Sequence, residues 1–146
     1  PHTLYRSSAA SDVYKRQPLK YTCQGQDINP PLHMQNIPGE AISLAVIVDD
    51  PDAPARTWNH WIVWNIPVIN DIDENCKLGV SGTNDFRNCG YNGPCPPSGV
   101  HRYYFKVYAL DDKLSLKATD KKRKLLTTMK GHVISKGELV GIYGQQ

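Results

Sequence analysis

Four residues whose side chains can bind ligands or exchange protons stand at or beside the ends of predicted strands: Asp50, His60, His101 and Tyr103. A carboxylate beside an imidazole favours the cationic ring, and a phenol adds a neutral donor. Such a set suits a small anion, for example phosphate, a phosphomonoester or a carboxylate. Because Asp50 itself repels anions, we expect it to charge the histidines, to accept a proton from a protonated phosphate or to pair with the cation of a zwitterionic ligand.

Hydrophobic patterning predicts the strands that would bring these residues together. Residues 42–48 are apolar on both faces, which is typical of a central strand, and the same side-chain parity continues to Asp50. A second strand over residues 60–66 has His60 on one face with Ile62, Trp64 and Ile66. The connection between the strands is short, so we expect antiparallel neighbours with Asp50 and His60 at the same end of the sheet.

The rest of the chain indicates more strands and one helix. Residues 101–110 alternate, which puts His101 and Tyr103 on the apolar face at the start of a strand. A helix is predicted from Thr119 or Asp120 to Lys130, and a last strand over residues 138–144. The buried stripe of the helix would be Leu125, Leu126 and Met129. The stretch from Gly79 to Gly99 has no usable period and is interpreted as a functional loop.

Length and composition indicate one globular domain. The chain has 146 residues, 40% of them hydrophobic and 21% charged, which is ordinary for a folded protein. A formal net charge of +3 is too small and too scattered to indicate a nucleic acid partner. No apolar stretch approaches the length of a membrane span, so we expect a soluble protein.

The cysteines and the N-terminal residues bear on the cellular setting. No CxxC pair and no zinc-binding spacing occurs, so free thiols and no metal or other cofactor are expected. The four cysteines are Cys23, Cys76, Cys89 and Cys95. Residues 1–17 are polar and lack the apolar centre of a secretion signal. We predict a cytoplasmic protein with its domain at residues 18–146, preceded by a disordered or non-native segment at residues 1–17.

Each candidate residue also has a purely structural interpretation. An aspartate directly after a strand is most often a turn former, whatever the function. Trp58, Trp61 and Trp64 are expected to be core and pocket-wall aromatics, and the basic run at residues 121–124 a solvated helix face. The convergence of three strand ends on one sheet end nevertheless favours a pocket.

Four segments carry a wider resemblance: VDDPDAP, NHWIVWNIP, GPCPPSGVHRYYFKVYALD and GELVGIYG. In this order and register they resemble the phosphatidylethanolamine-binding protein family, also called the Raf kinase inhibitor protein family, in its bacterial and archaeal branch. The resemblance covers residues 19–144. Residues 1–17 do not match the strand with which the family begins, and Arg87 and Asn92 stand where the family usually has small residues.

The resemblance implies a mainly β fold, a β-sandwich of two antiparallel sheets with one or a few peripheral helices, and an anion pocket at one end. By position, the pocket residues of the family fall on Asp50, Asp52, His60, His101 and Tyr103. The loop that would form the rim of the pocket contains Gly93, Pro94 and Pro97.

We therefore predict a binding protein rather than an enzyme. Its ligand would be an anionic or zwitterionic group such as phosphate, a phosphomonoester or a phospholipid head group, and its role the inhibition of a kinase or serine protease. Membrane contact would be transient and limited to the head group, and the oligomeric state is open, with a homodimer as one option. Two alternatives remain: an acid/base or metal-dependent enzyme, for which no nucleophile motif is found, and an interaction module with a vestigial pocket.

Overall fold

Two β-sheets and one α-helix make up the described part of the chain, residues 5–6 and 15–145 of a computed structural model, with only the backbone described for residues 5, 6 and 15. The strands are β1 (Tyr5–Arg6), β2 (Lys15–Arg16), β3 (Leu32–Met34), β4 (Ser43–Asp50), β5 (Trp58–Ile66), β6 (Asp71–Ile72), β7 (Val80–Ser81), β8 (His101–Leu110) and β9 (Val133–Tyr143). The helix α1 spans Lys122–Met129, and a 3-10 turn spans Leu19–Tyr21. The predicted mainly β fold with two sheets is confirmed.

The order of the strands brings three strand ends together. The larger sheet has the order β2-β9-β8-β4-β5-β7 and the smaller one β1-β3-β6. Neighbouring strands are antiparallel, except that β2 and β9 are parallel. Since β4 is antiparallel to both β5 and β8, the end of β4 lies beside the starts of these two strands. The predicted antiparallel neighbours, with Asp50 and His60 at one end of the sheet, are therefore confirmed.

The strand β4 is buried along its whole length because a layer covers each of its faces. On one face, side chains of β4 pack against Leu32, Met34 and Ile72 of the smaller sheet. On the other face, Ala45 and Ile47 pack against α1. Burial of an apolar side chain of this size stabilises the fold by about 1.5–3 kcal/mol, so this central strand anchors the domain.

The helix is shorter than predicted, and one member of its predicted stripe is exposed. Leu125 and Met129 are buried against the sheet, whereas Leu126 is 42% exposed. Residues four apart lie on one face of a helix, while the residue next to Leu125 is turned away by about 100°. The prediction that Leu126 belongs to the buried stripe is therefore wrong.

Part of the segment predicted to precede the domain belongs to the domain. In β2, Arg16 pairs with Ile142 of β9, and the backbone N–H of the buried Gln17 donates to Ile142 O at 2.9 Å. The backbone of residues 5–6 pairs with β3. The folded domain thus includes residues before the predicted boundary at 18. The prediction for residues 1–4 and 7–14 lies outside the described residues.

Two of the four cysteines form a disulfide. Cys23 and Cys95 are 72 residues apart in the sequence and are bonded, with a Cα–Cα distance of 5.4 Å. Cys76 and Cys89 are free thiols. The expectation of four free thiols is wrong for one pair, because spacing along the chain says nothing about residues that the fold brings together over such a distance.

The adjacent carboxylates Asp49 and Asp50 point to opposite faces of the sheet because side chains alternate along β4. Asp49 is 2% exposed, and its Oδ2 accepts hydrogen bonds from Lys106 Nζ at 3.1 Å and Lys122 Nζ at 2.9 Å. Because Lys122 is the first residue of α1, this ion pair fixes the start of the helix to the sheet. Asp49 therefore has a structural role on the face opposite to Asp50.

Replacing Asp49 by asparagine should lower the free energy of unfolding by about 2–4 kcal/mol, because the two ammonium groups lose a buried counter-charge. Asp52→Asn is the matched control, since Asp52 pairs with Arg102 at the surface, where an ion pair contributes about 1 kcal/mol or less. Urea unfolding of both variants measures the difference. A loss for Asp52→Asn as large as that for Asp49→Asn would contradict the structural role.

Candidate functional site

A cavity of about 260 Å³ opens at the sheet end where β4, β5 and β8 meet. Five predicted site residues line it: Asp50, His60, Pro97, His101 and Tyr103. The other lining residues are Ala53, Pro54, Trp58, Phe86, Cys95 and Pro96. The volume is just below the usual range for ligand pockets, so the cavity suits a small group rather than a large molecule.

Asp50 and His101 form a buried pair at the base of the pocket. Asp50 ends β4 and His101 begins β8, and His101 Nδ1 donates to Asp50 Oδ2 at 2.6 Å. The other oxygen, Asp50 Oδ1, accepts the backbone N–H of Asp52 at 2.8 Å, which closes the turn after β4. The carboxylate thus fixes the orientation of the imidazole and leaves Nε2 as the ring nitrogen that a ligand can use.

His60 reaches the pocket because β5 carries an extra residue at this point. Val48 pairs with Trp61, but the next residue of β4, Asp49, pairs with Asn59, so His60 has no partner in the register. Such a β-bulge re-aims the side chain beside it. In an unbroken strand, His60 would face α1 on the opposite side of the sheet.

The predicted grouping of His60 with three apolar residues of β5 is therefore wrong. Ile62 and Trp64 pack in the cluster under α1, and Ile66 packs between the two sheets. A second register shift separates Ile66 from the other two, next to Asn65, whose φ is +55°. The two irregularities of β5 break the simple alternation from which the prediction was made.

The electrostatics of His60 also differ from the expectation of a cationic ring. His60 Nδ1 donates to Asn92 O at 2.6 Å. Burial lowers the pKa of His60, and the opposing effects of the Asn92 carbonyl and the Asp50 charge do not outweigh it. His60 is therefore neutral at pH 7. With the proton on Nδ1, the lone pair is on Nε2, so the ring accepts hydrogen bonds there.

Tyr103 places a hydroxyl among these groups. The centroid of its ring lies 5.3 Å from that of the His60 ring, which it meets edge-on, and 6.4 Å from that of the His101 ring, on which it is stacked. Burial in the first place, and then the charge of Asp50, raise the pKa of Tyr103, so the phenol remains a neutral donor. The buried hydroxyl donates to no acceptor among the described residues.

Asp52, another predicted site residue, lies outside the cavity lining. Its carboxylate accepts hydrogen bonds from Arg102 Nε at 2.9 Å and Arg102 Nη2 at 2.8 Å. These bonds lower the pKa of Asp52 to about 2. Asp52 touches the site through its backbone, which donates to Asp50, rather than through its side chain.

The predicted rim residues divide between lining and support. Pro97 lines the cavity, whereas Gly93 and Pro94 are not part of its lining. The Gly93 N–H donates to Asp27 Oδ1 at 2.7 Å, and a Cβ at this position would lie 2.2 Å from Tyr21 O. Gly93 is therefore needed for the close approach of two backbone segments.

Asn84 was missed by the sequence analysis, although it organises the loop that forms one pocket wall. Its side chain is buried and makes hydrogen bonds with the backbone of His60, Gly90, Phe86 and Asn88 and with the side chain of Asn92. It thereby positions Asn92, which holds His60, and Phe86, whose ring lies 5.1 Å from that of His60. The only sequence signal is a polar turn pattern, which is common in loops.

Within residues 5–6 and 15–145, no group of three or more His, Cys, Asp or Glu side chains is arranged to hold a metal ion. Over these same ranges, none of the helical structure is long and apolar enough to cross a membrane.

Comparisons with known proteins agree on one family. The family model described as phosphatidylethanolamine-binding protein matches residues 8–144. A UPF0098 protein of Pyrococcus horikoshii is 53% identical over 137 residues, covering 86% of this chain and 69% of that protein. A UPF0098 protein of Methanothermobacter thermautotrophicus is 48% identical over 136 residues, covering 88% of this chain and 90% of that protein.

Solved structures show the same similarity. The crystal structure of a putative phosphatidylethanolamine-binding protein homologue from Chlamydia trachomatis has a TM-score of 0.92 and 42% identity and covers 97% of both chains. YbcL of E. coli, described as a new member of the mammalian family, has a TM-score of 0.91 and 27% identity over 100% of both chains. The chain belongs to the phosphatidylethanolamine-binding protein family.

Proposed function

We propose that this chain binds a small anion in the pocket, namely phosphate, a phosphomonoester or a phospholipid head group, and that it acts as a regulator rather than as an enzyme. The observation that carries the proposal is the buried hydroxyl of Tyr103, which has no acceptor among the described residues. An unsatisfied buried donor costs about 1–3 kcal/mol, so a ligand oxygen at this position is favoured.

Each polar group of the pocket has a distinct part in this proposal. The Tyr103 hydroxyl donates to a charged oxygen of the ligand. His101, oriented by Asp50, donates from Nε2 when its ring is protonated, and the pair then adds no net negative charge. Neutral His60 accepts a hydrogen bond at Nε2 from a protonated oxygen. A phosphate or phosphomonoester offers both kinds of oxygen near neutral pH, since its second pKa is about 6.

The rest of the lining supports an organic phosphate. Trp58, Phe86 and Pro97 present apolar surface beside the polar base of the pocket. The rings of Trp58 and Phe86 meet edge-on at 5.8 Å, which makes one wall of the cavity aromatic. A phosphomonoester would direct its phosphate towards Tyr103 and its carbon atoms towards this wall.

Tyr103→Phe should weaken the binding of phosphorylethanolamine about tenfold, because one hydrogen bond to a charged group is lost. NMR titration, followed through the imidazole signals of His60 and His101, measures the dissociation constant. Tyr108→Phe is the matched control, since Tyr108 is on the same strand and its ring packs with the cluster under α1. An unchanged affinity of Tyr103→Phe, or equal losses in both variants, would rule out the proposed donor.

The neutral state of His60 predicts a pH dependence of stability. The pKa of His60 is lowered in the folded protein, so as the pH falls through the unfolded value of about 6.5 the unfolded chain binds a proton that the folded protein does not. The free energy of unfolding should therefore decrease below pH 6.5, by at most about 1.4 kcal/mol per pH unit from this group.

His60→Asn should remove this contribution while its side-chain N–H can still donate to Asn92 O. Urea unfolding of both proteins at several pH values between 5 and 8 gives the comparison. The same slope between pH 5 and 6.5 in the wild type and in His60→Asn would show that His60 is not the residue responsible.

We further propose that the loops around the pocket mouth bind the target enzyme, a kinase or serine protease. Family membership supports an inhibitor of this kind by analogy. Two apolar side chains near the pocket residues are exposed: Phe86, which lines the cavity, is 37% exposed, and Val100, the neighbour of His101 in the chain, is 60% exposed. Apolar side chains at a rim can anchor a partner protein.

Val100→Asp should reduce inhibition of a responsive enzyme about tenfold, because a charge replaces an apolar contact. A panel of serine proteases and kinases, assayed with the wild type, identifies that enzyme. Val68→Asp is the control, since Val68 is 41% exposed and follows the opposite end of β5. No inhibition across the panel, or equal loss in both variants, would refute the assignment of the mouth as the inhibitory surface.

A cytoplasmic location remains a prediction. It rested partly on four free cysteines, and the bond between Cys23 and Cys95 removes that argument for one pair. Disulfides persist mainly in oxidising compartments, with intracellular proteins of hyperthermophiles as the exception.

A further inference from the structure

The disulfide joins the rim of the pocket to another part of the domain. Cys95, Pro96 and Pro97 line the cavity in consecutive positions. They belong to a stretch, residues 91–100, without helix or strand. The shape of this side of the pocket therefore depends on what holds the rim in place. The bond to Cys23 is one such tie.

The segment on the Cys23 side is well fixed. It follows the 3-10 turn, where Tyr21 is buried and its hydroxyl donates to Glu74 Oε1 at 2.9 Å. The hydroxyl of Tyr91 donates to Tyr21 O at 2.8 Å. Thr22 Oγ1 donates to Leu19 O at 2.9 Å. The disulfide therefore attaches the rim to an anchor that has its own network of bonds.

The non-covalent ties near the lining residues are weaker. The backbone N–H of Cys23 donates to Pro94 O at 3.1 Å, and Gln145 Nε2 donates to Pro96 O at 3.1 Å. Cys23 and Gln145 are exposed, so water can satisfy either donor when the segments separate, although the acceptor residues Pro94 and Pro96 are buried. Cutting the covalent tie therefore gives the rim more conformational freedom than the folded domain allows it now.

The bond is accessible to a thiol reagent, because Cys23 and Cys95 are both exposed. Exposed disulfides tend to be the exchangeable ones. A thiolate of a dithiol reductant attacks one sulfur and forms a mixed disulfide, and the second thiolate of the reductant then releases the other cysteine. The protein gains two electrons and two protons as two thiols, and the dithiol becomes a cyclic disulfide.

We propose that Cys23–Cys95 is a reversible redox site that controls ligand affinity: the oxidised bond holds the rim in the binding geometry, and reduction releases it. The proposal rests on the anion-binding function proposed above. In the reduced protein, the ligand must bear the cost of ordering residues 95–97 again. Fixing the backbone of even one residue corresponds to roughly a tenfold change in affinity.

Titration with phosphorylethanolamine of the oxidised protein, and of the protein reduced by dithiothreitol, tests the proposal. We expect a dissociation constant about tenfold higher after reduction. Cys23→Ser should bind weakly with or without reductant. Cys89→Ser removes an exposed free thiol instead, so it should keep the full difference between the two conditions.

Equal dissociation constants for the oxidised and reduced wild type would overturn the redox proposal and leave anion binding intact. Absence of binding even to the oxidised protein would overturn both proposals.

A reciprocal measurement needs no variant. If reduction weakens binding tenfold, saturating phosphorylethanolamine must favour the oxidised protein tenfold in a dithiothreitol redox buffer, a shift of about 30 mV. An unshifted equilibrium between the thiol and disulfide forms would also overturn the proposal.

Discussion

The pairing of β4 with both β5 and β8 is the constraint on which the pocket depends. Because β4 is antiparallel to each neighbour, its last residue, Asp50, lies beside the first residues of the other two strands. Layers on both faces bury β4 completely, so this strand has no freedom to slip in register without exposing its apolar side chains. The irregularities that shape the site are therefore in β5. The extra residue there turns His60 towards Asp50, which regular alternation would not do.

The alternation of side chains along β4 separates the two carboxylates at its end, Asp49 and Asp50. Asp49 faces α1 and is neutralised by two lysines, while Asp50 faces the pocket and holds His101. Two neighbouring carboxylates on one buried surface would repel each other, but the alternation of side chains along a strand puts them on opposite sides of the sheet. The acidic stretch after a buried strand thus combines an ion pair that fixes the helix with one that lines the pocket. Asp52 adds a third pair, at the surface, with Arg102 of β8.

The parts of the structure that could be predicted are those that the neighbouring sequence determines. The strand β8 was predicted with its correct bounds, because a half-buried strand between a core and a polar face alternates in sequence. That alternation also placed His101 and Tyr103 correctly. The bulge at His60 and the bond between Cys23 and Cys95 depend on distant parts of the chain. No local pattern encodes such contacts, and the same holds for the pairing of β2 with β9.

Burial and charge act against each other in this pocket, and this opposition limits how it could bind the anion proposed above. Low exposure keeps His60 neutral, so attraction cannot come from two cationic imidazoles. In the proposed binding mode, hydrogen bonds from the Tyr103 hydroxyl and from His101, which Asp50 orients, must therefore contribute more of the affinity. Such bonds require donors at fixed positions, to within a few tenths of an ångström. Residues 95–97 form one wall of the pocket but belong to no helix or strand, so other contacts must hold them in place. The covalent bond from Cys95 to Cys23, in a well-fixed segment, is one such contact.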